Sequence, residues 1–228
     1  MDLIMFDIDG TLTRTFPIDG ECYVQAVAEI SGFGEIPTDW AAYRHVTDSG
    51  ILDEVYQSRL GRPPKPEEIL AVRDRFIQLL GRAASRSPGA FAPLPGAQDF
   101  IEHLLASGCA VSLATGGWQL SARLKLATAG LHLEALPAAF ADDALARRDI
   151  MQKSYQRAGE AHRVTAFDSV TYIGDASWDA KASLSLDYKF LGIGSGDRDA
   201  HLRQLGAVDV FADYSDIRRL KDALERRA

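Results

Sequence analysis

The chain contains little cysteine, no long apolar run and no concentrated positive charge. Cys22 and Cys109 are its only cysteines, too few for the disulfide framework of a small secreted protein. No apolar run is long enough to cross a bilayer, and the amino terminus lacks the pattern of a signal peptide. The net charge of −7, with no basic cluster to offset it, argues against a nucleic-acid partner. We therefore expect a cytoplasmic protein that binds neither membranes nor nucleic acid.

The most informative segment is the amino terminus, where a short apolar run is followed by two aspartates. Residues 3–6 are all apolar and predict a buried strand, and Asp7, Asp9 and Gly10 come directly after it. Two carboxylates this close together cost desolvation and repulsion free energy unless a cation or a reaction uses them. Ligands bind at the carboxyl ends of strands in open α/β sheets. This strand end is therefore the first candidate site.

The rest of the chain falls into two patterns. From about residue 15 to residue 90 the periodicity is helical, with predicted helices at 21–30, at 48–60 after Thr47, and from Pro66 onward. From residue 91 onward strands and helices alternate, which is typical of a doubly wound sheet. We therefore predict a Rossmann-like α/β core, with a mostly parallel sheet, formed by residues 1–14 and 91–228. Residues 15–90 form a second unit, the helical insert.

Two further strand ends in the core carry polar residues. One predicted strand ends in Thr115 and Gly116 ahead of a helix, an arrangement that presents a hydroxyl and backbone N–H groups to an anion. Another ends in Gly174-Asp175, and Asp179 follows near the start of the next helix. Taken alone the first signal is weak, because strand-Thr-Gly is common. The second is stronger, and its alternative is that Asp179 caps a helix and Asp175 is a loop residue.

Together with the order Asp7-x-Asp9-Gly10-Thr11-Leu12, these motifs resemble those of the haloacid dehalogenase-like superfamily. The resemblance implies phosphoryl transfer through an aspartyl-phosphate, with Asp7 as nucleophile and Asp9 as general acid and base. It also implies that Gly10 brings the backbone close to the phosphate, and that Thr115 and Gly116 bind the transferring group.

The same resemblance implies a Mg²⁺ cofactor. Its ligands would be carboxylate oxygens of Asp7 and Asp175 and the backbone carbonyl of Asp9, with Asp179 acting through water or orienting the others. A sparse carboxylate set suits Mg²⁺, which usually keeps several waters.

The third family motif departs from the usual pattern, because the expected lysine is missing. Arg147 and Arg148 occupy this part of the chain, and either guanidinium can hold a phosphate and offset the charge of Asp7. We favour Arg147, which lies three residues before the apolar Ile150, with Arg148 as the second candidate and Lys153 as a poor third. The alternative is that the two arginines are simply an exposed basic pair.

The overall layout is similar to the group of phosphoglycolate phosphatases and β-phosphoglucomutases, in which a helical insert of this kind is a cap domain over the active site. We predict a Mg²⁺-dependent phosphatase acting on a small soluble phosphomonoester. The alternatives are a sugar-phosphate mutase, or a non-catalytic or regulatory protein on the same scaffold. Residues 43–48 are candidate leaving-group contacts. The alternative is a hydrated loop between helices, in which Thr47 or Asp48 caps the helix that follows. Trp118 and Trp178 either line the site or serve packing.

Overall fold

A computed structural model describes residues 1–226 of the chain, and within them six strands form one sheet. The strands are β1 (Leu3–Phe6), β2 (Ala110–Ala114), β3 (Ala138–Ala139), β4 (Val170–Gly174), β5 (Lys189–Ile193) and β6 (Asp209–Phe211). Their order is β3-β2-β1-β4-β5-β6, and every pairing is parallel. This confirms the predicted Rossmann-like α/β fold. The order reverses at β1, so the two aspartates after it lie at the topological switch point.

The α-helices of residues 1–226 follow the two predicted patterns, with three in the insert and six alternating with the strands that follow. They are α1 (Phe16–Ser31), α2 (Asp48–Leu60), α3 (Pro66–Arg86), α4 (Ala97–Ala106), α5 (Gln119–Thr128), α6 (Arg147–His162), α7 (Ser177–Leu184), α8 (Asp197–Gln204) and α9 (Ile217–Glu225). No helix in this part of the chain combines the length and the hydropathy that a membrane span requires.

Both faces of the sheet are buried, as expected for a parallel sheet covered by helices. Successive side chains of β1 point to opposite faces, so Ile4 and Phe6 join one apolar cluster while Leu3 and Met5 join another. Helices cover the two clusters, and β1 has no exposed residue. The central strand is therefore buried on both faces.

A third apolar cluster fills the helical insert and reaches into the core. Tyr23 of α1 and Phe76 of α3 pack edge to face with ring centroids 5.6 Å apart. Trp118, from the loop after β2, packs against both rings and is 1% exposed. Of the two alternatives for Trp118, the structure thus shows packing. The indole joins the insert to the sheet.

One helix begins earlier than predicted, and one strand is too short to have been predicted. Strand β3 contains only two residues, Ala138 and Ala139, too few to give a periodic pattern. Helix α1 begins at Phe16 rather than at residue 21, with Pro17 in its first turn, where the missing N–H costs nothing. Helix α7 begins at Ser177 because the Asp179 carboxylate accepts a hydrogen bond from the backbone N–H of Ala176.

Candidate active site

Polar residues that follow three neighbouring strands meet in one cavity. Asp7 follows β1, Thr115 follows β2 and Asp175 follows β4, because the carboxyl ends of parallel strands share one edge of the sheet. The cavity encloses about 70 Å³, and residues of the helical insert close its other side. The sheet end of the cavity is lined by Asp7, Asp9, Thr115, Gly116, Arg147 and Asp175. The insert end is lined by Phe16, Asp19, Tyr23, Trp40 and Asp48 of the insert, together with Trp178 of α7.

At the sheet end, Asp7 is paired with an arginine. Nη1 of Arg147 lies 3.1 Å from Oδ1 of Asp7 and 2.9 Å from Oδ1 of Asp179. Burial raises the pKa of Asp7, the Arg147 guanidinium lowers it, and the nearby charge of Asp9 raises it again, with a net upward shift. The ionised form of Asp7 is therefore disfavoured by burial and by Asp9, and Arg147 offsets only part of this free-energy cost.

Arg147 reaches the cavity from the first position of α6, whereas Arg148 does not. Successive helical residues lie on different faces, and Arg148 is exposed and absent from the cavity lining. Lys153 is exposed as well. Of the three cations considered from sequence, the structure places only Arg147 beside Asp7.

Three buried carboxylates at the sheet end form a site that fits a divalent cation. Asp7, Asp175 and Asp179 each offer an oxygen atom, and these oxygens lie within 4.8 Å of one another. Burial raises the pKa of Asp179 to about 7, Arg147 opposes that shift and the charge of Asp7 adds to it. Burial also raises the pKa of Asp175 well above its ordinary value. Clustered carboxylates disfavoured in this way gain most from a nearby cation, and hard oxygen donors suit Mg²⁺.

Two glycines allow side chains to approach the backbone at the sheet end. Gly10 has φ of +77°, and a Cβ there would lie 2.3 Å from Oδ2 of Asp175. At Gly116 a Cβ would lie 2.5 Å from Nη2 of Arg147 and 2.8 Å from the carbonyl oxygen of Val46. Any larger residue would therefore displace the Asp175 carboxylate or the Arg147 guanidinium.

Asp9 is held by a lysine to which the sequence pattern gives no functional role. Nζ of Lys125 lies 2.5 Å from Oδ2 of Asp9 and 2.7 Å from Oδ1 of Asp19, and the lysine side chain is 0% exposed. The hydroxyl of Thr15 donates to Oδ1 of Asp9 at 2.5 Å. Burial lowers the pKa of Lys125, but its acidic neighbours, led by Asp19, raise the pKa by more than burial lowers it. The ammonium therefore stays charged. A signal was present in the sequence, because Lys125 takes a buried position on α5 beside Ala122 and Leu126.

Arg198 is a second cation that was not predicted. Its Nη1 lies 2.7 Å from Oδ2 of Asp175, and its side chain is 48% exposed. Arg198 lies on α8, after β5, so only the sheet order brings it to the end of β4. It partly offsets the negative charge of the carboxylate cluster from outside the cavity.

Residues 46–49 dock the helical insert onto the core. The backbone N–H of Asp48 donates to the carbonyl of Gly116 at 2.7 Å, and the backbone N–H of Trp118 donates to Oδ2 of Asp48 at 2.8 Å. The hydroxyl of Ser49 donates to the carbonyl of Ala141 at 2.8 Å.

Thr47 plays two parts in this loop. Its hydroxyl accepts from Gly50 N–H as the cap of α2 and donates to the carbonyl of Leu145 at 2.7 Å.

Of the segment 43–48, residues 46–48 line the cavity, while residues 43–45 do not. Trp178, the second tryptophan considered from sequence, lines the insert end.

A parallel sheet with this order, and an aspartate pair at the end of its central strand, defines a known class of enzyme. The chain belongs to the haloacid dehalogenase-like hydrolase family, whose pattern matches residues 1–187. It is similar to a phosphoglycolate phosphatase of Cereibacter sphaeroides, with 24% identity over 218 residues that cover 94% of either chain. A phosphoglycolate phosphatase of Mesorhizobium japonicum is 23% identical over 219 residues, 93% of this chain and 91% of that one.

Solved structures share the fold over almost the whole chain. A hydrolase from Pseudomonas syringae has a TM-score of 0.75 at 20% identity, covering 99% of this chain and 100% of its own. CbbY from Rhodobacter sphaeroides, solved in complex with phosphate, has a TM-score of 0.69 at 16% identity, covering 94% of this chain and 95% of its own. The predicted family and the hydrolase class are confirmed.

Proposed function

We propose that this hydrolase is a Mg²⁺-dependent phosphatase that cleaves a small soluble phosphomonoester through an aspartyl-phosphate on Asp7. The observation that carries the proposal is the pairing of Asp7 with Arg147 beside the buried carboxylates Asp175 and Asp179. Its relatives named phosphoglycolate phosphatase support the same reaction class. The two cysteines of the chain are free thiols, in keeping with the cytoplasmic location we expect.

In the proposed mechanism, a carboxylate oxygen of Asp7 attacks phosphorus and the ester oxygen leaves. Arg147 offsets the repulsion between Asp7 and the phosphate, and the guanidinium is already held beside the attacking oxygen before substrate binds. The Thr115 hydroxyl and the backbone around Gly116 then face the transferring group at the end of β2. Water hydrolyses the aspartyl-phosphate in the second step and restores Asp7.

Asp9 is the proposed general acid and base. Its carboxyl group protonates the leaving oxygen in the first step and takes a proton from water in the second. The Thr15 hydroxyl and the Lys125 ammonium hold one carboxylate oxygen each, so the orientation of Asp9 is set from two sides. Lys125 is a positioning residue in this scheme, because it acts on the reaction only through Asp9.

Carboxylate oxygens of Asp7 and Asp175, together with the backbone carbonyl of Asp9, would hold Mg²⁺ at the sheet end. When bound it supplies positive charge to the phosphate oxygens. Asp179 suits the orienting role, since its two oxygens already contact Nη1 of Arg147 and the N–H of Ala176. Arg147, Asp7 and Asp9 perform the remaining chemistry.

The proposal is tested by Mg²⁺-dependent phosphate release from a panel of small phosphomonoesters, with Asp7→Asn and Asp9→Asn beside the wild type. Release that requires Mg²⁺ and both aspartates is the expected result. If no ester releases phosphate while Asp7 becomes labelled by acetyl phosphate, the mutase or regulatory alternative replaces ours. Intact-protein mass spectrometry detects that label directly.

A further inference from the structure

The two ends of the cavity differ in charge, and this difference bears on the leaving group. We propose that the site selects phosphomonoesters whose leaving alcohol carries no negative charge, so that phosphoglycolate is a poor substrate for this enzyme. The inference rests on the proposed phosphatase function and adds the substrate class. It also separates this chain from relatives that bear the name phosphoglycolate phosphatase.

Positive charge in the cavity is confined to the sheet end. Among residues 1–226, Arg147 is the only lysine, arginine or histidine that lines the cavity. Its Nη1 contacts Asp7 and Asp179, and its Nη2 donates to the carbonyl of Val46 at 3.3 Å. The guanidinium is therefore committed to the position where the phosphoryl group reacts. It leaves no cation for a second anionic group on the same substrate.

Lys125 does not supply the missing charge at the insert end. Its ammonium is fully buried behind the carboxylates of Asp9 and Asp19 and takes no part in the lining. Asp48, also buried, adds a third carboxyl group on this side. Three carboxyl groups lie near one ammonium, so the local charge is negative when at most one acid is protonated and zero when two are. A carboxylate placed here would meet oxygen atoms rather than N–H⁺ donors.

Aromatic rings form the rest of the insert end. Phe16 and Trp178 stack with ring centroids 6.3 Å apart, and Tyr23 and Trp40 meet edge to face at 6.4 Å. The indole of Trp40 also covers Gly20, where a Cβ would lie 3.3 Å from Cζ2. The Tyr23 hydroxyl already donates to the carbonyl of Asp48 at 2.6 Å. These faces favour an apolar leaving group, and they also attract a cationic one through their π systems.

A carboxylate on the leaving alcohol would lose its hydration in this cavity without gaining a cation. Desolvation of an unpaired charge is among the largest penalties that a binding site imposes. Rejecting a competitor by leaving its charge unpaired is an effective source of specificity. Glycolate has only two carbons, so its carboxylate stays close to the phosphoryl group beside Asp7.

The test compares kcat/KM for esters matched in shape and different in charge. The small pair is phosphoglycolate and its neutral amide, and the aromatic pair is 4-carboxyphenyl phosphate and 4-carbamoylphenyl phosphate. We expect the amide of at least one pair to exceed its carboxylate partner by about tenfold or more. Equal or faster hydrolysis of the carboxylates would overturn the inference and leave the phosphatase function intact. Absence of release from all four, with no Asp7 label, would overturn the phosphatase function itself.

A second measurement ties the preference to the insert end. Burial raises the pKa of Asp48, so the comparison is made at an assay pH at which its carboxyl group is ionised; there Asp48→Asn removes one negative charge and keeps an oxygen that can accept from Trp118 N–H. We expect it to raise the carboxylate-to-amide ratio of kcat/KM, and because this is a ratio, a loss of folded enzyme cancels. Asp74→Asn makes the same charge change on α3, outside the cavity, where the side chain is 64% exposed. If both variants change the ratio equally, the electrostatic explanation is overturned.

Discussion

The sheet end and the insert end of the cavity solve the problem of buried charge in different ways. At the sheet end, Asp7 and Asp179 share one guanidinium that faces the cavity, so positive charge is presented to the ligand. Where the two ends meet, Asp9 of the sheet end and Asp19 of the insert end share one ammonium that is fully enclosed and does not face the cavity. The contrast indicates that the guanidinium is available to an anion in the cavity, whereas the ammonium holds the Asp9 carboxylate in position.

The largest expected effect is at the sheet end. Asp7→Asn removes the attacking carboxylate oxygen and keeps the size of the side chain, so phosphate release should fall by about 10³-fold or more. Steady-state release from the best ester of the panel measures the change, and circular dichroism checks the fold. Activity within tenfold of the wild type would rule out Asp7 as the nucleophile.

Arg147→Ala should come next in magnitude. Loss of the guanidinium leaves Asp7 and Asp179 without their shared partner, and the transition state without a preorganised donor, which is worth about 10²–10³ in kcat. Arg148→Ala is the matched control, because that neighbouring arginine is exposed and outside the cavity. Equal losses in the two variants would contradict the assignment of Arg147.

A smaller loss is expected when the enclosed ammonium is removed. Lys125→Met keeps most of the side-chain length but leaves Asp9 and Asp19 facing each other, so kcat should fall about 10- to 100-fold. KM should change little, because Lys125 does not touch the cavity. The thermal midpoint should fall as well, because loss of the ammonium leaves the buried Asp9 and Asp19 carboxylates without a cationic partner.

Asp19→Asn combined with Lys125→Met separates positioning from folding. The double variant also removes the Asp19 carboxylate, which the single variant leaves without its ammonium partner beside Asp9, so the thermal midpoint should recover in part. Activity should stay low, because Asp9 still lacks its ammonium partner. Full recovery of kcat together with the thermal midpoint would reduce Lys125 to a purely structural role.

The smallest expected effect concerns the loop that docks the insert. Thr47→Val removes the cap of α2 and the hydrogen bond to the carbonyl of Leu145, at a cost of about 1–2 kcal/mol in the free energy of unfolding. Urea denaturation measures it, with the exposed Thr38→Val as control. A change no larger than that of the control would show that Thr47 does not stabilise the docked loop.

Local patterns in the sequence were sufficient for the sheet end and insufficient for the insert end. Asp7, Thr115 and Asp175 each follow an apolar strand, and a strand end is a local signal that sheet topology converts into a common position. Lys125 and Asp9 are separated by 116 positions, and nothing near either residue specifies the other. The placement of Arg198 likewise depends on sheet order. The choice of Arg147 rather than Arg148 depended only on helix geometry, because the spacing from Arg147 to the apolar Ile150 already favoured Arg147.

The hydrogen bonds of residues 46–49 have a consequence for exchanging parts between related proteins. Thr47, Asp48 and Ser49 bond to backbone groups in two loops of the core, at Gly116 and Trp118 after β2 and at Ala141 and Leu145 between β3 and α6. In a chimera that transplants residues 15–90 alone, these donors and acceptors would face the core loops of a different protein. Their hydrogen-bond partners would then no longer be matched. The transferable module is thus discontinuous, and grafting a new substrate preference requires the insert and its receiving loops to move as one piece.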